Sequence, residues 1–117
     1  MDSVILYHNP RWGKSRAVVS LLEEKNISYV TIEYLKTPLS VEEILNLSKK
    51  LNKKPIDFVR KNDQSFKENS LGFNVLNDIK MAELIIKCPK ILERPIVVKG
   101  KKAIIGRPPE NILKLFE

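Results

Sequence analysis

The chain has 117 residues, 43% of them hydrophobic and 30% charged, with a net charge of +7. That length fits one ordinary domain of about 100–150 residues, and no apolar run approaches the roughly 18 residues that span a bilayer. A single cysteine, Cys88, and a single histidine, His8, exclude an intramolecular disulfide and a CxxC redox pair, and argue against any metal site of the usual Cys/His kind.

Val4–Tyr7 (VILY) is a short apolar run bounded by a turn, which reads as a buried strand. It is too short for the apolar stretch of a signal peptide, so a cytoplasmic location is expected. After HNPRWGK, Ser15 is expected to cap a helix that turns Val18, Val19, Leu21 and Leu22 inward and stops near Lys25–Asn26, where asparagine tolerates the left-handed conformation. Tyr29–Tyr34 (YVTIEY) is β-branched and aromatic and reads as a second strand. Strand, helix and strand within so few residues form a βαβ unit, whose right-handed crossover makes the two strands parallel.

The next start signal is explicit. Ser40 and Glu43 have the spacing of a capping box, followed by the apolar stripe Ile44, Leu45, Leu47 and Leu51. Pro55 opens a short helix ending around Arg60. Residues 63–72 are polar and mix a turn with a short helix. Residues 77–87 form a further helix with Ile79, Leu84, Ile85 and Ile86 inward, stopped by Pro89. PIVVKGKKAIIG then reads as a hairpin around Gly100–Lys101, and RPPENILKLFE as a final helix with proline in its first turn. The βαβ and ββα halves, separated by a helical insertion at about 38–92, predict an α/β thioredoxin-like fold around a mixed sheet, as a single domain over 1–117.

The basic charge invites a nucleic-acid reading, but its distribution argues against one. The pairs Lys49–Lys50, Lys53–Lys54 and Lys101–Lys102 fall in different elements with acidic residues interleaved, the pattern of a solvated surface. Arginine is scarcer: Arg11, Arg16, Arg60, Arg94 and Arg107. Its planar fork of donors suits carboxylates, phosphates and similar oxyanions, although sparse arginines also serve as ion-pair partners.

YHNPRWGKSR at 7–16, RKN at 60–62, ERPIVV at 93–98 and GRPPENIL at 106–113, in order and at matching spacing over nearly the whole chain, resemble the arsenate reductase family coupled to glutathione and glutaredoxin (ArsC). That family also contains the Spx transcriptional regulators. The resemblance implies a cysteine nucleophile at position 12 that attacks arsenate, with glutathione resolving the product. It also implies that His8 and Ser15 support the thiolate, that Arg60, Arg94 and Arg107 gather around the anion with the helix start at Gly13, Lys14 and Ser15, and that Pro95 is cis. A helix N-terminus suits such chemistry, since its free N–H groups and dipole favour a thiolate and an oxyanion.

This chain departs from the pattern at the nucleophile, where Trp12 stands. An indole N–H is a donor only, so no covalent bond to arsenic forms there. Two roles stay open for Trp12, packing that closes a disused site or hydrogen bonding to an anion. Cys88 is a poor substitute, because it falls at the end of a helix, where the dipole disfavours a thiolate, in a segment distant from the family's nucleophile. Ser15 lacks an activating base other than His8.

Three functions follow as expectations. The first is an ArsC-family protein without the standard reductase activity that still binds arsenate, phosphate or sulfate, and needs glutathione or glutaredoxin only if active. The second is an Spx-like module that binds a cytoplasmic protein and does no redox chemistry. The third is redox exchange between Cys88 and glutathione. No bound cofactor, metal or membrane partner is expected under any of them.

Overall fold

The structure, a computed structural model, describes residues 4–9, 11 and 13–116. Two compact units result: Met1–Thr37 with Arg94–Glu117, and Pro38–Glu93.

The first unit is built on a four-stranded mixed sheet, with β1 at Val4–Tyr7, β2 at Val30–Ile32, β3 at Ile96–Lys99 and β4 at Lys102–Ile105. Their order is β2-β1-β3-β4. β1 pairs in parallel with β2 (Leu6 opposite Thr31) and antiparallel with β3 (Tyr7 opposite Ile96). β3 pairs antiparallel with β4 (Ile96 opposite Ile105). The parallel pair is joined by α1, Gly13–Glu24. This is the thioredoxin-like α/β arrangement expected from the order of elements.

One face of this sheet carries the core. Val4, Leu6 and Val97 pack with Val18 and Leu22 of α1 and with Ile112 and Leu115 of the closing helix. The closing segment, Pro109–Phe116, is a 3-10 helix. α1 ends as its sequence suggests: Asn26 takes φ 57°, its N–H donates to Glu23 O, and Ile27 N–H donates to Leu22 O. These two bonds make a Schellman ending with asparagine in the glycine place. Gly100 has φ 60° at the first turn position between Lys99 and Lys102, where a two-residue hairpin loop favours glycine.

Two local expectations are corrected in this unit. Ser15 does not cap α1, because the helix starts at Gly13 and places Ser15, fully buried, inside its first turn. The second strand covers Val30–Ile32 only. Beyond it Glu33 O accepts from the N–H groups of Lys36 and Thr37, and this turn carries Tyr34 into a buried position instead of extending the strand.

The second unit is helical: α2 at Val41–Leu51, α3 at Gln64–Asn69 and α4 at Asp78–Lys87. The capping box is present, with Ser40 Oγ accepting from Glu43 N–H and Glu43 Oε1 from Ser40 N–H, each at 3.1 Å. α2 packs on α4 through a core that includes Ile44, Leu47, Met81, Leu84 and Ile85. Short 3-10 turns at Pro55–Phe58 and Pro89–Ile91 lead to a bridge between Val59 and Leu92.

Ile79 was expected to face inward in α4, and it is 55% exposed. Met81, Ala82, Leu84 and Ile85 define the buried face. At 100° per residue Ile79 sits roughly 140° from the centre of that face, so its apolar character does not turn it inward. Among the described residues no helix is long and apolar enough to cross a membrane.

Candidate functional site

The strand register gathers one end of the first unit's sheet. One step beyond the pair Tyr7–Ile96 the antiparallel register of β1 with β3 sets His8 against Pro95. One and two steps beyond Ile96–Ile105, the hairpin arms carry Pro95 and Arg94 on one side and Gly106 and Arg107 on the other. Gly106 N–H donates to Pro95 O at 2.8 Å and ties the two arms together. The Arg94–Pro95 bond is cis, as is Arg107–Pro108, which no sequence feature announced. Arg94 and Arg107 therefore leave the sheet on adjacent backbones.

The β1–α1 loop reaches the same end. His8 N–H extends the β1 pairing by donating to Ile32 O at 2.9 Å. Asn9 is buried, and its Oδ1 accepts from Arg11 N–H at 3.1 Å, forming an Asx turn. Asn9 N–H reaches Ser15 Oγ at 3.5 Å and pins the loop to the first turn of α1. Gly13 and Lys14 are exposed at that helix start. N–H groups in a first helical turn have no intrahelical acceptor and carry the positive end of the dipole. Asn9 was missing from the residues expected here. Its position just before a proline, in a loop leading to a helix, is the Asx-turn signal that would have found it.

Two titratable groups are buried at this end beside Asn9 and Ser15. Arg94 is 5% exposed and His8 9%, and a desolvated charge such as that of Arg94 occurs in structures when it is paired or serves a site. His8 Nδ1 is buried without a hydrogen-bond partner among the described residues. Burial pushes the His8 imidazole below its ordinary 6.5, partly offset by the Glu33 carboxylate, which raises it.

The sign of this shift makes a prediction. With the folded value below the unfolded one, acid protonates His8 in the unfolded chain first. Above pH 6.5 both states are neutral and His8 adds no slope; below it, stability is lost until the folded value is passed. Thermal melts between pH 7.5 and 5 should fall less steeply for His8→Gln than for the unaltered protein. Equal slopes would show that His8 binds its proton alike in both states.

Arg60 belongs to the second unit, where its Nη1 meets Asp63 Oδ2 at 3.0 Å. Cys88 ends α4 in the same unit, with Asn69 Nδ2 donating to its Sγ at 3.8 Å. Trp12 lies outside the described residues. Among the described residues no cluster of three or more His, Cys, Asp or Glu side chains could hold a metal ion.

The ArsC family model matches residues 7–115, which include every residue of this sheet end. The chain belongs to the ArsC family. An arsenate reductase of Haemophilus influenzae is 39% identical over 97% of this chain and 99% of its own length. One from Neisseria meningitidis is 39% identical over 96% of this chain and 97% of its own. Among solved structures, an arsenate reductase from Vibrio cholerae superposes with a TM-score of 0.89 at 39% identity, covering 97% of each chain. Membership accounts for the α/β core and for the order of the motifs.

Proposed function

We propose that this ArsC-family protein binds a tetrahedral oxyanion of the arsenate, phosphate or sulfate class in the cytoplasm, and does not carry out the family's thiol-based reduction. The observation that carries the binding half is the placement of Arg94 and Arg107 on tied, adjacent backbones at the sheet end where Asn9 holds the loop to the first turn of α1. Arginine donates in a plane to two oxygens at once, and the helix start adds backbone donors and a favourable dipole. A tetrahedral anion offers acceptors to both.

The absence of reduction follows from chemistry at position 12. Reduction of arsenate in this family, by resemblance, begins with thiolate attack on arsenic, expels an oxygen as water, and is completed by thiols of glutathione and glutaredoxin. Indole supplies no electron pair for that attack. Without it the anion is bound and released unchanged, and glutathione and glutaredoxin have no adduct to resolve.

Charge-assisted hydrogen bonds contribute about 1.5–3 kcal/mol each, enough for two arginines to hold an anion without a covalent step. Isothermal titration of the purified protein with arsenate, phosphate and sulfate tests this. Saturable heat with at least one of the three is expected. Silence with all three, while the protein remains folded, would end the proposal.

A further inference from the structure

Gly106 occupies the point where α1, β3 and the closing 3-10 helix meet, and its role there is spatial. Among the described glycines only Gly72 and Gly100 have positive φ, so the backbone at 106 is open to any residue. What excludes a side chain is its neighbours. A β-carbon on residue 106 would stand 2.8 Å from Val18 Cγ2, 3.0 Å from Pro95 Cγ and 3.4 Å from Ile112 Cγ2. Carbon atoms prefer about 3.5–4.0 Å.

None of these neighbours can yield cheaply. Val18 and Ile112 are fully buried in the core, and the Pro95 ring is held by its own backbone. Relief must come from movement of the arms or of the helix. The arms are joined at this point by the Gly106–Pro95 hydrogen bond of 2.8 Å, and the next residues outward on them are Arg107 and Arg94. On the other side, Val18 lies one turn along α1 from Ser15, which binds Asn9 and is likewise fully buried.

We propose that Gly106 is a positioning residue: its missing side chain sets the separation between the first turns of α1 and the Arg94 and Arg107 arms, and thereby which oxyanion fits between them. The ligand half of this statement rests on the oxyanion reading above; the positioning half does not.

The test uses full-length protein, Gly106→Ala, Val18→Ala and the double variant. Two readouts are followed: the arginine Nε–H resonances of Arg94 and Arg107 by ¹⁵N NMR, and phosphate affinity by titration. Gly106→Ala is expected to displace both arginine resonances and to weaken phosphate binding at least about ten-fold. Val18→Ala removes the same nearest carbon and lowers stability, but presses on nothing; both readouts stay at their original values. The double variant relieves the Val18 contact and keeps that with Pro95, so it shows the displacements of Gly106→Ala in smaller measure. If Gly106→Ala alone does not fold, this smaller displacement in the double variant is the supporting result.

Original arginine resonances in a folded protein carrying Gly106→Ala would overturn the positioning role. Unaltered phosphate affinity in folded Gly106→Ala would overturn its effect on the ligand, leaving the oxyanion reading intact. If the unaltered protein binds none of the anions, the oxyanion reading fails, and the arginine resonances alone decide the role of Gly106.

Discussion

Trp12→Cys should reduce arsenate, and the unaltered protein should not. Position 12 immediately precedes α1, Gly13–Glu24, and a thiol beside a helix N-terminus has its thiolate stabilised by the dipole and by unpaired N–H groups. The expected gain is large, because loss of a nucleophile from a well-dissected hydrolase lowers kcat on the order of 10⁶-fold. An NADPH-coupled assay with glutathione and glutaredoxin should read background for the natural protein and for Trp12→Ser, whose hydroxyl has no dedicated base. It should read turnover for Trp12→Cys alone. Turnover by the natural protein would refute this account of Trp12 and direct attention to Cys88, for which Cys88→Ser is the control. A folded but silent Trp12→Cys, in a protein that nonetheless binds arsenate, would mean that the anion lies out of reach of position 12.

Elements whose signals are local were legible in the sequence. Ser40 and Glu43 announced α2 through reciprocal caps that each span three residues, and Asn26 announced the end of α1 because few other residues adopt a left-handed backbone. The parallel β1–β2 pair followed from chain connectivity. Errors arose where burial depends on distant partners. Ile79 is as apolar as Ile85, yet only the second is buried.

The candidate site divides the same way. Arg94 and Arg107 were named by resemblance, but their adjacency needed the strand register. Asn9 and Gly106 went unremarked for different reasons. Asn9 acts through an Asx turn whose pattern stands in the sequence. Gly106 acts through contacts with Val18, Pro95 and Ile112, and its lack of a side chain has no meaning until those three are in place. Arg60, grouped with the other arginines by family position, belongs to the second unit and pairs with Asp63 three residues on.

Arg94→Met should weaken binding of phosphate or sulfate by about 10- to 150-fold, the equivalent of one charge-assisted hydrogen-bonding group of 1.5–3 kcal/mol. Methionine keeps a flexible, unbranched apolar stem in the buried position and removes the guanidinium with its charge and donors. Arg107→Met should cost less, for a reason visible in exposure. Arg94 is 5% exposed, so its field acts through protein, whereas Arg107 faces solvent and is screened by water and salt. Titrations at low and high ionic strength separate the two: the loss from Arg107→Met should shrink with salt, and that from Arg94→Met should persist. Both variants must first be shown folded, since Arg94 is a buried charge and its removal leaves its own partners to find others. Equal losses that fade together in salt would assign both arginines to a diffuse basic field, and the sheet end would then attract anions without binding one in a defined place.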